Sequence, residues 1–302
     1  MMTSSTVNYS SWGALAAYTT AAGIGGLLGN GLVIFLFIYY KYLRTVTNNF
    51  IINLAVCDLM IAMLDLVFSI PTVFASEWLF GPKLCTFYAF SHFYLVCVSM
   101  VMLAIIAVDR YYVIARPKFG ARISCRKFAV IIAGIYVYVM AIACPILYAP
   151  AFLQIKVYQS GCYVDFAWAS DFGSGSYSVV IATFLYVAPL IIILFYYWQI
   201  FKVLRKRRNR SSLAEAENNR RRYDLSRAGL GRNYTTRSLR VQARTLRVMA
   251  ALVVLFVVTW TPYTVVNLAR VFSQREFFND YVLEVFVFYL LNLRHLCGEK
   301  KM

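Results

Sequence analysis

The chain has 302 residues, of which 61% are hydrophobic, 17% aromatic and only 14% charged, whereas a soluble domain carries roughly a quarter charged residues. The formal net charge of +17 would suit a nucleic-acid partner, but 23 of the 30 Lys and Arg fall in three polar segments, 41–47, 110–127 and 202–247, set between long apolar blocks. That arrangement argues against a nucleic-acid binder and a packed soluble domain, and for a multi-pass membrane protein.

Residues 1–14 form a short polar opening without the basic run of a cleaved leader, so the first apolar block is expected to act as its own anchor. Asn8-Tyr9-Ser10 is a glycosylation sequon in that opening; those at Asn209 and Asn233 lie in a basic loop and should be silent. Apolar blocks follow at roughly 15–40, 49–74, 85–108, 128–150, 177–201, 248–272 and 281–293. As helices the first six can cross about 30 Å of hydrocarbon. The seventh is short and interrupted by Glu284, and needs Phe277, Phe278 and a snorkelling Arg294 to span. The expected fold is therefore an all-α, seven-transmembrane helix bundle over residues 15–296, with a short tail at 297–302. Only Lys83, Lys156, Arg270 and Arg275 fall on the side opposite the basic segments, which places the N-terminus outside by the positive-inside rule. The loop at about 202–247 holds 15 Lys and Arg, and is expected to be flexible in the middle with helical ends. It reads either as an orientation signal with affinity for anionic lipid or as a docking surface for cytoplasmic partners.

Polar groups inside these blocks need partners or functions, because a carboxylate at the bilayer centre costs a few kcal/mol. Asp58 and Asp65 are seven residues apart in the second block, two helical turns and about 20° of the same face. Tyr88 and His92 are i, i+4 neighbours in the third, and Ser99 continues that face. These groups can line one wet cavity; equally, Asp65 can be satisfied by a nearby hydroxyl and His92 can be an ordinary interior imidazole. At the basic end of the third block stands Asp109-Arg110-Tyr111. The guanidinium is always charged and needs an acceptor, which Asp109 can supply. No nucleophile–base pair or metal-ligand cluster is readable, so an enzyme is not expected, and no inverted repeat suggests a transporter. Of seven cysteines, Cys57, Cys97 and Cys144 sit in apolar blocks, and Cys125 and Cys297 on the reducing side. A disulfide between the remaining two, Cys85 and Cys162, is the economical expectation.

Arg110 lies 25 residues after Cys85, and with that spacing the motifs together resemble the rhodopsin-like (class A) G-protein-coupled receptors. Gly29-Asn30, Asn53-Leu54-Ala55-x-x-Asp58, Cys85, Asp109-Arg110-Tyr111, Pro189 with Tyr197, and Trp260-Thr261-Pro262-Tyr263 appear in the family's order. Local strings look like opsins: Leu43-Arg44-Thr45-Val46-Thr47-Asn48, Trp78-Leu79-Phe80-Gly81, Gly161-Cys162-Tyr163-Val164-Asp165-Phe166 and Thr259-Trp260-Thr261-Pro262-Tyr263. Tyr138 stands where the family's fourth-helix Trp is expected. The resemblance implies a multi-pass plasma-membrane receptor that transduces an extracellular or membrane-borne small-ligand signal to a heterotrimeric G protein. It implies a ligand pocket of Asp65, Tyr88, His92, Phe93, Tyr186, Trp260 and Tyr263. Its switch and coupling residues would be Asn30, Asp58, Ser99, Asp109, Arg110, Tyr111, Tyr197, Gln242 and Pro262, with a sodium ion at Asp58 and Ser99. His92 occupies the place where amine receptors carry Asp, which disfavours a biogenic amine. Gln242 stands where many relatives carry an acid that holds the Arg, so the latch on Arg110 should be weaker. Asn8 would carry a glycan, and the implied partners include membrane lipid and a receptor dimer.

Two departures qualify the resemblance. An opsin binds retinal through a seventh-helix lysine, expected here near Leu291, yet residues 277–296 contain no lysine. The counterion carboxylates are also replaced, by Tyr88 in the third helix and Lys156 in the loop before Cys162. Covalent retinal and any cofactor are accordingly not expected, as in lysine-less opsins such as the placopsins. The Asn-Pro-x-x-Tyr motif does not appear before Leu296-Cys-Gly-Glu-Lys-Lys-Met. The alternative expectation is a truncated, non-signalling receptor that heterodimerises with a full-length one.

Overall fold

A helix closes its backbone hydrogen bonds internally, which is what lets an apolar segment cross hydrocarbon without stranded polar groups. The structure, a computed structural model, describes residues 9–41, 44, 46–115, 124–148, 154–158, 161–165, 172–221, 253, 254, 261 and 264. Among these, five helical stretches are long and apolar enough to span a membrane: Thr19–Tyr39, Asn48–Ala75, Gly81–Ala115, Cys125–Tyr148 and Ser176–Arg207. Most of the sixth expected span, all of the seventh, the tail 297–302, and Asn8, Gln242, Trp260, Pro262 and Tyr263 lie outside the described residues.

Helix α1 (Tyr9–Tyr39) begins inside the stretch expected as the extracellular opening, and its crossing portion starts at Thr19. Thr19 and Thr20 both donate to the Ala16 carbonyl, at 3.0 and 2.7 Å, so neither hydroxyl is stranded in lipid. The second span is not one regular helix. Helix α2 (Val46–Leu64) opens into a wide π turn at Asp65–Ser69, in which Ile70 N–H reaches back to the Asp65 carbonyl, before α3 (Ile70–Ala75) resumes. Pro71 explains the interruption: it has no N–H to donate, and its ring presses on the Val67 carbonyl four residues back. Widening the turn ahead of it relieves that clash. Ser76, in the left-handed region at φ 57°, ends α3.

Helix α4 (Gly81–Ala115) is the axle of the bundle. It is buried along most of its length, packing against α2, α5 (Cys125–Ala143) and α8 (Ala188–Arg221). Its side chains Val98, Met100, Met102 and Ile106 are almost wholly enclosed. Gly81, at φ 74°, makes the sharp entry to α4, and the Trp78 indole N–H closes it by donating to the Gly81 carbonyl at 2.8 Å. The Ser124 hydroxyl caps α5 by accepting from the Lys127 N–H at 3.3 Å. The fourth block breaks at Cys144, ahead of Pro145, and continues as the short α6 (Pro145–Tyr148).

Strands β1 (Gln154–Tyr158) and β2 (Gly161–Asp165) form an antiparallel hairpin with Val157 opposite Cys162 and Ile155 opposite Val164. Cys162 and Val164 turn into the bundle against α4. The fifth span repeats the construction of the second. Helix α7 (Phe172–Ile181) runs into a π turn at Ala182–Val187, and α8 follows with Pro189 as its second residue. The two ends of the bundle are chemically distinct: one carries the hairpin, the other Arg110, Arg126, Lys127 and Lys202.

Candidate functional site

At the hairpin end, the wide turn aims Asp65 into the bundle, where the residue is 7% exposed. Tyr88 donates its hydroxyl to Asp65 Oδ1 at 3.0 Å, and His92 Nε2 lies 3.5 Å from the same oxygen. Tyr88 and His92 are one turn apart on α4, with ring centroids 5.7 Å apart. Ser69, the last residue of the wide turn, also bonds the Tyr88 phenol. The carboxylate is therefore held across helices by a phenol and an imidazole, which offsets its burial. One turn above, Cys85 is joined to Cys162, Cα to Cα 5.4 Å, as the sequence led us to expect. The bond ties the hairpin to the head of α4, and both cysteines are buried beside Tyr88. Phe68, Trp78 and Phe80 stack around this corner.

The other residues of the expected pocket are placed less closely together. Phe93 and Tyr186 are half-buried against the main core. Tyr186, within the fifth span's wide turn, meets the Thr261 hydroxyl at 2.6 Å, across to the sixth expected span.

Midway along α4, Ser99 is fully buried and donates to Asp58 Oδ1 at 3.0 Å. Asn30 turns its amide back to the Gly26 carbonyl of its own helix at 3.0 Å. At the basic end, Arg110 Nε lies 3.4 Å from Asp109 Oδ2, and Arg110 Nη2 donates to Asn48 Oδ1 at 3.3 Å. Tyr197 of α8 is close enough to interact electrostatically with the guanidinium. Tyr111 packs edge-on against Tyr196, centroids 5.3 Å apart.

Sequence reasoning missed one half-buried polar knot. Tyr136 of α5 donates to Asn53 Oδ1 at 3.0 Å, lies 3.1 Å from Cys57 Sγ, and accepts through its backbone carbonyl from the Tyr94 hydroxyl at 3.1 Å. Tyr138, which stands where the family's fourth-helix Trp is expected, faces outward and donates to the Phe184 carbonyl at 3.0 Å. A readable signal existed: Asn53 in an apolar helix needs a partner. Which of two nearby tyrosines supplies it depends on the rotation of α5.

Comparison with known proteins gives the arrangement its context. The chain matches the profile of the 7 transmembrane receptor (rhodopsin family) over residues 29–292. It is 31% identical over 268 residues to melanopsin of Phodopus sungorus, covering 87% of this chain and 54% of that protein. It is 28% identical over 256 residues to opsin Rh6 of Drosophila melanogaster, covering 83% of this chain and 66% of that one. In fold it is similar to the crystal structure of squid rhodopsin, with a TM-score of 0.82 and 23% identity, over 97% of this chain and 81% of the squid chain. The chain spans about half the length of the melanopsins it matches.

These relatives correct one expectation. The missing lysine in 277–296 led to expecting no retinal and no cofactor. The proteins to which the chain is similar are melanopsins, an opsin and a rhodopsin, the class that the sequence motifs themselves associate with retinal. Weighing one residue type in one segment, which lies outside the described residues, set too little store by the rest of the chain. The described residues suit such a group at its polar end, where a buried carboxylate, phenol and imidazole converge beneath the tethered hairpin.

Proposed function

Because the chain belongs to the rhodopsin family of seven-transmembrane receptors, we propose that it is an opsin-type receptor of the plasma membrane that passes a small-ligand signal to a heterotrimeric G protein. The observation that supports this best is α4 itself, with the Asp65–Tyr88–His92 cluster against one end and the Asp109–Arg110 pair at the other. Tyr88 and Arg110 are separated by about 33 Å of continuous helix. A rearrangement at one end thus has a stiff element through which to reach the other.

In this reading Asp65, Tyr88, His92, Phe93 and Tyr186 line the pocket together with Trp260 and Tyr263, and a retinoid is its ligand. When bound, retinal would supply a conjugated polyene that absorbs light and isomerises. The aromatic side chains would flank its polyene, and an N–H of His92, held beside Asp65, would donate to its carbonyl oxygen. A ligand that favours one packing of the bundle shifts the population toward it. Asn30, the Asp58–Ser99 pair with a sodium ion, and the Pro262 kink belong to the parts that repack. Arg110 then exchanges Asp109 and Asn48 for the G protein, with Tyr111 and Tyr197 beside it. Gln242 holds Arg110 less firmly than a carboxylate would. Asn8 carries a glycan outside, and two copies pair within surrounding lipid.

The test is nucleotide exchange by a purified G protein on vesicles containing the receptor, with and without retinal. The expected result is a wild-type signal above receptor-free vesicles, lowered by Gln242→Glu and abolished by Arg110→Ala. A signal indifferent to Arg110→Ala would falsify the coupling role. Retinal should also quench tryptophan fluorescence saturably; a linear, unsaturable response would remove the retinoid from the reading.

A further inference from the structure

Helix α8 has 34 residues, about 51 Å at the usual rise, against about 30 Å of hydrocarbon. Its basic end therefore projects well past the membrane core. The helix packs on the bundle through Ile193, Tyr197 and Ile200, which are buried or half-buried. The opposite face is open and changes chemistry along its length. Ile191 and Leu194 are 60% and 56% exposed, Trp198 and Phe201 are 53% and 63% exposed, and Lys202, Arg205 and Lys206 follow directly, all exposed. Aliphatic, aromatic and cationic groups succeed one another at helical spacing on a single outward stripe.

That order is the depth profile of a bilayer: hydrocarbon, interface, headgroups. The Lys202 ammonium sits 3.3 Å from the centre of the Trp198 ring, a cation–π pair that fixes the level at which the aromatic belt gives way to charge. Among the described residues no carboxylate lies within ion-pair reach of Lys202, Arg205 or Lys206. The stripe also faces away from Arg110, which lies against the inward face of α8 near Tyr197. The positive-inside rule sets this end in the cytoplasm, where the leaflet is rich in anionic lipid.

We infer that the outward stripe from Trp198 to Lys206 on α8 is a docking site for anionic phospholipid headgroups of the cytoplasmic leaflet. Trp198 anchors the helix at the interface, and the three cations beyond it take the phosphates. Charge and depth favour lipid over a protein partner, which would need a surface below the headgroups rather than beside them.

The full chain, reconstituted in phosphatidylcholine vesicles, is probed with spin-labelled phosphatidylserine and phosphatidylcholine, reading the motionally restricted fraction of each. Wild type should select phosphatidylserine over phosphatidylcholine. Each cation near the surface contributes about a fivefold change in partition, so K202Q/R205Q/K206Q should lose at least that much selectivity. Salt should erode the wild-type preference in the same way, and the charge-conserving K202R/R205K/K206R should keep it. Arg205→Gln alone, at an exposed position, provides the reading should the triple variant fail to form its disulfide. Selectivity unchanged in the glutamine variants, or insensitive to salt, overturns the assignment. So does a loss of G-protein activation at unchanged lipid selectivity, which would give the stripe to a protein.

Discussion

At the hairpin end of α4 a buried carboxylate is held from a distance: Asp65 belongs to the second span, and its partners Tyr88 and His92 to α4. At the basic end the carboxylate and its cation are sequence neighbours, Asp109 and Arg110, and Arg110 also reaches across helices to the Asn48 amide at 3.3 Å. The first arrangement ties two spans together and sits under a covalent tether. The second sets the guanidinium among groups of several helices, including Asn48 and Tyr197. In the proposed reading, the first end holds a shape and the second exchanges partners. A ligand biases a population of two packings by as much as its affinity differs between them.

Four substitutions bear on that contrast. Cys85→Ser should have the largest effect. The bond closes a sequence separation of 77 residues, and its loss removes about 4.5 kcal/mol in the entropy model. Thermal unfolding of the purified receptor should shift down sharply and retinal quenching should fade with it; an unchanged melting curve would show the tether to be dispensable. Arg110→Ala comes next, because it leaves the Asp109 carboxylate buried without its cation, at a cost of about 3 kcal/mol. G-protein activation should vanish while retinal affinity stays within a factor of about two, and a parallel loss of both would mean that the two ends are not separable.

Asp65→Asn should weaken retinal binding roughly tenfold, about 1.4 kcal/mol, with basal exchange on the G protein unaltered. Equal affinity in titrations of the variant and wild type would leave Asp65 a packing residue. Tyr136→Phe should have the smallest effect, about 1 kcal/mol of stability from the lost hydroxyl bond to Asn53. It should lower the melting temperature by a few degrees and leave both ends working. A selective loss of signalling would instead place the Tyr136 knot on the path between them.

Much of the fold was legible because membrane spans announce themselves by length and apolarity. The five described spans fall where the apolar blocks are, and the disulfide joins the two cysteines left outside. The meeting of Asp65, Tyr88 and His92 was legible from two seven- and four-residue spacings, although the turn that aims Asp65 is wider than those spacings assume. What could not be read was the rotation of one helix against another. Tyr136 rather than Tyr138 meets Asn53, and Asn48 meets Arg110, because of packing angles that no single-helix pattern encodes. The retinal expectation failed differently: a local absence was set against a resemblance spread over the whole chain, and the resemblance carried more.

The wide turns at Asp65–Ser69 and Ala182–Val187 also bear on how this chain can change length. In an ordinary helix the loss of one residue rotates everything beyond it by about 100°, so a deletion within α4 would turn its core side chains toward lipid. A wide turn holds one residue more than an ordinary one. Removing a residue there lets the turn close toward normal pitch with both flanking segments keeping their facing, at the cost, in the second span, of restoring the Pro71 clash. Among the described residues, the second and fifth spans are therefore where the residue count is least locked to the geometry, and where a codon could be lost at least cost to the bundle.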